Sequence, residues 1–267
     1  QNGHLQVVQY LCALPTDRGV NPTAGYNLAV RHAARNGHLQ VVQCLCALPT
    51  DRGVSPGARD NWAIQYAARN GHLHVVQYLC SLPTDRGVNP AAGNNSAIQY
   101  AAQNGHLHVV QYLCALPTDR GVNPGARDNW AIQHAAQNGH LQVVQYLCAL
   151  PTDRGVNPTA GNDWAIHQAA QNGHLQVVQY LCSLPSWEVP TDRGVTPGTL
   201  YNWTIYHAAQ NGHWHVVQYL CSLPTDRGVS PGARRLWRQL GHSRRMDRHA
   251  AQIQFVVMYS LMMSHAV

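Results

Sequence analysis

The tripeptide Asn-Gly-His occurs seven times in this chain, and its spacing constrains the fold more than any other feature. The first copy begins at Asn2, and each of the next five begins 34 residues after the one before it. The seventh, at Asn211, follows after 39 residues because Ser186-Trp187-Glu188-Val189-Pro190 is inserted in the preceding loop. A fixed period of this size indicates a stacked array in which each repeat is one supersecondary unit.

Each repeat is predicted to form two short helices followed by an irregular loop. In the copy that spans residues 60–93, a first helix is expected from Trp62 to about Arg69, capped by the side chains of Asp60 and Asn61. The Asn-Gly dipeptide then ends this helix, because both residue types tolerate the left-handed conformation. By the same pattern, first helices are expected near 27–35, 61–69, 95–103, 129–137, 163–171 and 202–210.

The second helix of this repeat is predicted over about 72–82 and ends where Leu82 precedes a proline. Its apolar side chains recur at helical spacing and should face the core: Leu73, Val75, Val76, Leu79 and Cys80. So few apolar groups cannot offset the conformational entropy of 34 ordered residues. Each repeat must therefore stack on its neighbours.

The run Ala-Ala-x-x-Gly-His-x-x-Val-Val-x-x-Leu resembles the ankyrin repeat closely. The chain has Trp62-Ala63-Ile64-Gln65 and Trp130-Ala131-Ile132-Gln133 in place of the usual Thr-Pro-Leu-His opening. It also has Asp-Arg-Gly-Val after the second helix instead of Gly-Ala-Asp, and its period is one residue longer than 33. Tetratricopeptide repeats share the 34-residue period, but they use longer helices and shorter loops.

The resemblance covers residues 1 to about 234 and implies an all-α, ankyrin-like α-solenoid of helix-turn-helix repeats joined by hairpin-like loops. This domain, 1–234, would hold a half repeat and six helix pairs, with the five-residue insertion at 186–190. Because residue 1 falls inside a repeat, we expect the chain to be a fragment of a longer product. Residues 235–267 form a separate, atypical Arg-rich tail.

The resemblance also implies a protein-binding scaffold, because hairpin tips and first helices line a concave binding face in this family. Differences among the repeats collect at these positions, whereas the second helix hardly varies. Tyr, Trp, Arg and His are residue types expected at binding hot spots or beside them. The candidate partner-binding residues are Arg59, Asp60, Trp62, Tyr66, Asn95, Tyr100, Arg127, Asp128, Trp130, His134, Asp163, Trp164, Tyr201, Trp203 and His207.

Two other interpretations of this variation stay open. The repeats could be recent duplicates whose differences are drift at tolerant surface sites. The tryptophans at the starts of the first helices could pack between repeats instead of meeting a partner.

The sequence does not indicate an enzyme. It contains no phosphate-binding glycine loop, nucleophile elbow or paired carboxylates, and Glu188 is its one glutamate. We therefore expect a non-enzymatic scaffold that binds another protein, of unknown identity, and needs no cofactor. An alternative is the targeting arm of a larger enzyme, such as a kinase or ubiquitin ligase, whose catalytic domain lies outside this sequence. A further alternative is a homogenised repeat expansion with no dedicated partner.

Cysteine and histidine are abundant, but their placement favours structural roles. Seven of the eight cysteines share one position on the apolar side of the second helix. Stacked helices lie about 8–10 Å apart, too far for a disulfide, so we expect small core residues in a reducing, cytoplasmic compartment. Histidine pairs such as His72 and His74 do not face each other on a helix. We expect the histidines to form hydrogen bonds and to bind no metal.

The loop pair Asp119 and Arg120 represents an Asp-Arg motif that recurs in every repeat. One interpretation is a binding motif repeated along one edge of the array. The other, which the sequence favours, is a solvated turn with a local ion pair that contributes little stability.

The positive charge belongs largely to the tail. The formal net charge of the chain is +6, of which residues 1–233 hold +1 and residues 234–267 hold +5. The tail is either a shifted reading frame or retained intron, or a decayed last repeat that caps the stack. Its arginines suggest an alternative role in association with nucleic acid, but so few charges support that role only weakly.

No apolar run is long enough to span a membrane. We expect the chain to be a monomer.

Overall fold

The fold was analysed in a computed structural model of the chain. It describes residues 2–14, 21–49, 54–83, 86–151, 154, 156–184 and 201–223, with the backbone alone at 118, 201 and 202. Every regular element in these ranges is helical, which confirms the all-α repeat solenoid expected from the sequence. The insertion at 186–190 and the tail at 235–267 lie outside the described residues.

Two kinds of helix alternate along the described chain. The first helices of the repeats are α2 Ala24–Arg35, α4 Ala58–Arg69, α6 Ala92–Gln103, α8 Ala126–Gln137, α10 Ala160–Gln171 and α12 Tyr201–Gln210. The second helices are α1 Leu5–Ala13, α3 Leu39–Cys46, α5 Leu73–Ser81, α7 Leu107–Ala115, α9 Leu141–Cys148, α11 Leu175–Ser183 and α13 Trp214–Ser222. A short 3₁₀ helix, Thr118–Arg120, follows α7.

The chain divides into two compact units, Gln1–Ala131 with Leu150–Gly155 and Ile132–Ala149 with Val156–Val267. In unit 1, the first helices pack in the order α2, α4, α6 and the second helices in the order α1, α3, α5, α7. In unit 2, α10 packs on α12, and α9, α11 and α13 pack in that order. Each unit is thus a stack of helix pairs, as the period predicted.

The second helix matches its prediction to within one residue at each end. In α5 the buried side chains are Val75, Val76, Leu79 and Cys80, whereas Leu73 is only half-buried. From the paired first helix, Ile64 is also fully buried. The core of each repeat is therefore the seam between its two helices.

The start of the first helix differs from the prediction. No side chain caps α2, α4, α6 or α10. Instead, Arg59, Asp60 and Asn61 in α4 adopt left-handed conformations, with φ of 51°, 52° and 64°, before the right-handed helix continues. Non-glycine residues take this conformation at a cost of about 1–2 kcal/mol each, so another interaction must hold it in place.

That interaction is made by the last residue of the left-handed turn. The side-chain oxygen of Asn61 accepts a hydrogen bond from the backbone N–H of Asn89 at 2.7 Å, 28 residues further on. Asn95 accepts from the N–H of Asn123 at 2.7 Å in the next repeat of unit 1. The asparagine predicted to be a helix cap therefore ties its turn to the following loop.

The Asn-Gly-His motif forms a joint between consecutive repeats. His106 Nε2 is 2.9 Å from the carbonyl oxygen of Arg69, and its ring lies against Gly71 of the preceding repeat. Gly71 has φ +77°, and a Cβ added there would be 2.6 Å from His106 Nδ1. The contact recurs between Gly173 and His213, where the five-residue insertion separates the partners further along the chain. The expected hydrogen-bonding role of these histidines is confirmed.

The loop arginine has a role that neither sequence interpretation included. Arg120 donates to the carbonyl oxygen of Cys80 at 3.1 Å, and Arg154 donates to that of Cys114 at 2.8 Å. Arg86 donates in the same way to the carbonyl of Cys46. Each arginine thus satisfies a terminal carbonyl of the second helix one repeat earlier, a structural role that corrects the solvated-turn interpretation.

None of the eight cysteines forms a disulfide, and most are buried. Burial raises the pKa of Cys80 to about 11, while the neighbouring Arg120 lowers it in part. Burial likewise raises the pKa of Cys148 to about 12. These thiols stay protonated at neutral pH, which agrees with a core role.

Among the described residues, no helix combines the length and hydropathy that a membrane span requires.

Candidate functional site

The predicted partner-binding residues fall on the exposed side of the first helices and on their left-handed turns. Trp203, Arg59, Asp60, Arg127 and Asp128 are exposed. The half-buried members of the set are Trp62, Tyr66, Tyr100, Trp130, His134, Asp163, Trp164 and His207. The side chain of Tyr201 lies outside the described residues.

Asn95 does not belong with these surface residues. Its side chain is 8% exposed, and its oxygen is occupied by the hydrogen bond to the next loop. We therefore assign Asn95 to the scaffold and leave it out of the candidate surface.

In unit 1, arginines and aromatic rings of successive repeats contact each other along this side. The guanidinium of Arg59 lies 4.3 Å from the ring centroid of Tyr26 and 5.3 Å from that of Trp62. Arg31 approaches the Trp62 ring to 4.9 Å. We call Tyr26, Arg31, Arg59, Trp62, Tyr66, Arg69, Tyr100 and Trp130 the aromatic surface of unit 1.

The same arrangement continues along that surface. Arg35 lies over Tyr66 and Arg69 over Tyr100, each 5.7 Å from the ring centroid. The Tyr100 and Trp130 rings then meet edge to face at 6.1 Å. Cation–π contacts of this kind contribute about 0.5–1 kcal/mol each at exposed sites. The tryptophans therefore pack partly between repeats, as the alternative interpretation held, while their remaining faces stay accessible.

In unit 2, the corresponding side forms a groove between α10 and α12. Its volume is about 460 Å³, and we call it the aromatic groove; it is lined by Gly161, Asn162, Trp164, His167, Gln168, Gln171, Trp203 and His207. The Trp203 and His207 rings meet edge to face, with an interplanar angle of 63° and centroids 4.4 Å apart. Trp203 is 54% exposed, which is unusual for a large aromatic side chain.

His167 is held in a neutral state at the base of this groove. The indole N–H of Trp203 donates to His167 Nε2 at 2.7 Å, so this nitrogen carries a lone pair. His167 Nδ1 lies 3.3 Å from the Thr204 hydroxyl oxygen. Burial, and secondarily the nearby His207, lower the pKa of His167 to about 4.

Acidification is expected to weaken unit 2 through His167. His167 binds a proton near pH 6.5 in the unfolded chain but only near pH 4 in the folded chain. Its contribution to the stability of unit 2 is therefore complete above pH 6.5 and declines as the pH falls towards 4. We expect a loss on the order of 1 kcal/mol between pH 7 and 5, because solvent around the half-exposed ring screens the full shift. Urea unfolding at both pH values measures it.

The matched control is His167→Gln, which restores the residue found at 65, 99 and 133 in other repeats. Its free energy of unfolding should depend less on pH than that of the wild type. An equal pH dependence in both proteins would contradict the assignment to His167.

Asp163 is the last left-handed residue near the start of α10. Burial raises the pKa of its carboxyl to about 6, and Oδ1 is buried without a hydrogen-bond partner in the part of the chain that the structure describes. Asp163 takes the place of the turn asparagine of other repeats, such as Asn61. It is therefore a poorly solvated acidic group that is adjacent in sequence to two lining residues of the groove, Asn162 and Trp164.

Sequence reasoning did not single out His167, Gln171, Arg31, Arg35 or Arg69, although it did name Arg59. A comparison of repeat positions contains a signal for two of them. His167 stands where earlier repeats have Arg31 or glutamine, and Gln171 stands where earlier repeats have Arg35 and Arg69. Within the described ranges, no group of three or more His, Cys, Asp or Glu residues is placed to hold a metal ion.

Comparison with known proteins supports the expected family. The family model for ankyrin repeats (3 copies) matches residues 1–90, 30–128, 85–162, 115–190 and 132–233. Among solved structures, the chain is similar to an ankyrin repeat family protein from Legionella pneumophila, at 21% identity and a TM-score of 0.43. That match covers 95% of this chain and 78% of the other. No curated protein sequence matches this chain.

Proposed function

This chain belongs to the ankyrin-repeat family, and from that premise we propose that it is a non-enzymatic scaffold that holds a partner protein. Ankyrin repeats are generally protein–protein interaction modules, and the family is generally non-catalytic. We propose that the binding face comprises the exposed sides of the first helices and their left-handed turns.

The distribution of sequence differences carries this proposal. The second helices supply the buried seam and the joints between repeats, and they hardly vary. The first helices carry most of the differences, and many of these lie at positions whose side chains are exposed or half-buried, although Ser96 and Thr204 are buried. A concentration of changes at accessible aromatic, arginine and histidine positions suits recognition of a specific partner.

The test is an affinity pull-down from a lysate of the source cell with the full chain as bait. Its control bait carries Arg59→Ala, Tyr66→Ala, Tyr100→Ala and Arg127→Ala, which remove large side chains from the proposed face without touching the buried seam. We expect at least one protein to be captured by the wild type and lost by this variant. Circular dichroism should confirm that both baits have the same helical content.

Equal capture by both baits would contradict the proposed face and favour drift as the source of the repeat differences. A third bait, with residues 235–267 deleted, separates this function from nucleic-acid association through the tail. The scaffold of residues 1–234 should capture the same proteins as the full chain. Salt-sensitive capture that disappears with the tail would favour the nucleic-acid alternative.

We also propose that the scaffold works in a reducing compartment such as the cytoplasm. None of the eight cysteines forms a disulfide, and the protonated thiols of the buried ones occupy core positions. This arrangement is typical of proteins that are not exposed to an oxidising environment.

A further inference from the structure

We propose that the aromatic groove of unit 2 is a subsite for an arginine side chain of the partner protein. This inference rests on the proposed protein-binding function and adds the chemistry of the residue that one part of the surface recognises.

Unit 1 shows how this scaffold accommodates arginine. The chain's own guanidinium groups cover the rings of the following repeat: Arg31 over Trp62, and Arg35 over Tyr66. In both pairs the arginine precedes the ring by 31 residues. The rings of unit 1 are therefore partly occupied by cations that the protein itself supplies.

The equivalent cations are missing from the lining of the unit 2 groove. With the five-residue insertion included, the matching separation is 36 residues, which pairs His167 with Trp203 and Gln171 with His207. The position of Arg31 is thus taken by a neutral histidine, and that of Arg35 by glutamine. The rings that an arginine covers in unit 1 here face neutral side chains across an open groove.

The groove also has the charge and hydrogen-bonding character that a guanidinium requires. The residues that line it include no lysine or arginine, so the lining presents no fixed positive charge to a guanidinium. The side-chain amide oxygens of Gln168 and Gln171 can accept N–H donors. A planar guanidinium stacks on an indole face and donates in its own plane, which a lysine ammonium cannot do.

His207 adds a second indication. Its Nδ1 lies 3.1 Å from the amide oxygen of Gln210, so Nδ1 carries the proton and Nε2 is an acceptor. His207 Nε2 is buried without a hydrogen-bond partner among the described residues. A rotation of the His207 ring towards the groove would let this nitrogen accept from a guanidinium beside the Trp203 ring.

The test uses the full chain and four capped tripeptides, Ac-Gly-X-Gly-NH2, in which X is arginine, lysine, citrulline or leucine. Citrulline matches arginine in shape but carries no charge. Indole N–H resonances in ¹H–¹⁵N spectra report on each tryptophan. We expect the arginine peptide to shift the Trp203 and Trp164 resonances and to bind roughly tenfold more tightly than the citrulline peptide.

Two variants locate the binding. Trp203→Ala should abolish the shift at Trp164, whereas Trp62→Ala, at the equivalent position in unit 1, should leave both groove resonances responsive. Gln171→Arg restores the arginine of earlier repeats and should fill the groove from within, which would weaken the arginine peptide roughly tenfold. Gln171→Met, of similar length and without charge, removes one acceptor but leaves the groove open, so it should weaken binding less than Gln171→Arg does.

Several outcomes would overturn the arginine assignment. These are equal shifts with arginine and citrulline, equal affinity for arginine and lysine, or arginine binding that survives Trp203→Ala. Equal effects of Gln171→Arg and Gln171→Met would also count against it. These results would not change the interpretation of the pull-down, because that experiment alters residues of unit 1. Failure of this inference and failure of the proposed function are therefore distinguishable.

Discussion

Replacing Gly71 with alanine is expected to destabilise unit 1 by about 2–4 kcal/mol. Two effects act together. Alanine is strained at φ +77°, and its Cβ would lie 2.6 Å from Nδ1 of His106, which cannot move without losing its hydrogen bond to the Arg69 carbonyl. Urea unfolding followed by circular dichroism measures the loss.

Gly87→Ala is the matched control for this substitution. Gly87 also has a positive φ, +70°, but the nearest atom to an added Cβ is Ser55 Oγ at 4.0 Å. The Gly87→Ala variant should lose only the free energy that alanine costs at a positive φ, about 1 kcal/mol. Equal losses at Gly71 and Gly87 would mean that the joint with His106 adds nothing. Removing the imidazole ring with His106→Ala should recover part of the stability lost to Gly71→Ala in the double variant.

Replacing Leu113 with alanine is expected to cost about 2–5 kcal/mol, since the side chain is fully buried in the seam and its removal leaves a cavity. Leu11 holds the same register position in α1 but is 40% exposed. Leu11→Ala should therefore cost no more than about 1 kcal/mol. The same urea titrations compare the two.

Comparable losses at Leu113 and Leu11 would contradict this prediction. They would show that burial in the stack does not determine the contribution of this position. A large loss confined to Leu113 would instead establish that nearly identical second helices differ in stability according to which residues cover them.

Local patterns made the helix pairs predictable from sequence. Val75, Val76 and Leu79 recur at helical spacing, and the proline after Leu82 marks the end of the helix, so the second helix was placed to within one residue. The first helix was harder, because its entry consists of left-handed residues that the sequence presents as an ordinary cap. Asn61 is a suitable cap by residue type, and only the fold shows that its acceptor serves Asn89.

The contacts that escaped prediction join residues far apart in sequence. Arg120 lies 40 residues from the helix carbonyl that it satisfies, and His106 lies 37 residues from its own. The period shows that these residues recur but does not name their partners. For the candidate site, variation pointed to the correct elements, yet it could not separate the buried Asn95 from accessible neighbours. Nor could it show that His167 faces Trp203.

The Gly–His joint also bears on how such a chain can change its length. Within each unit, the glycine of one repeat receives the histidine of the next, as in Gly37 with His72 and Gly139 with His174. Unequal recombination that adds or removes a whole 34-residue block within a unit therefore leaves a matching pair at the new junction. Copy number can change without a new kind of interface, and Gly173 still receives His213 although the extra residues 186–190 stand between them in sequence.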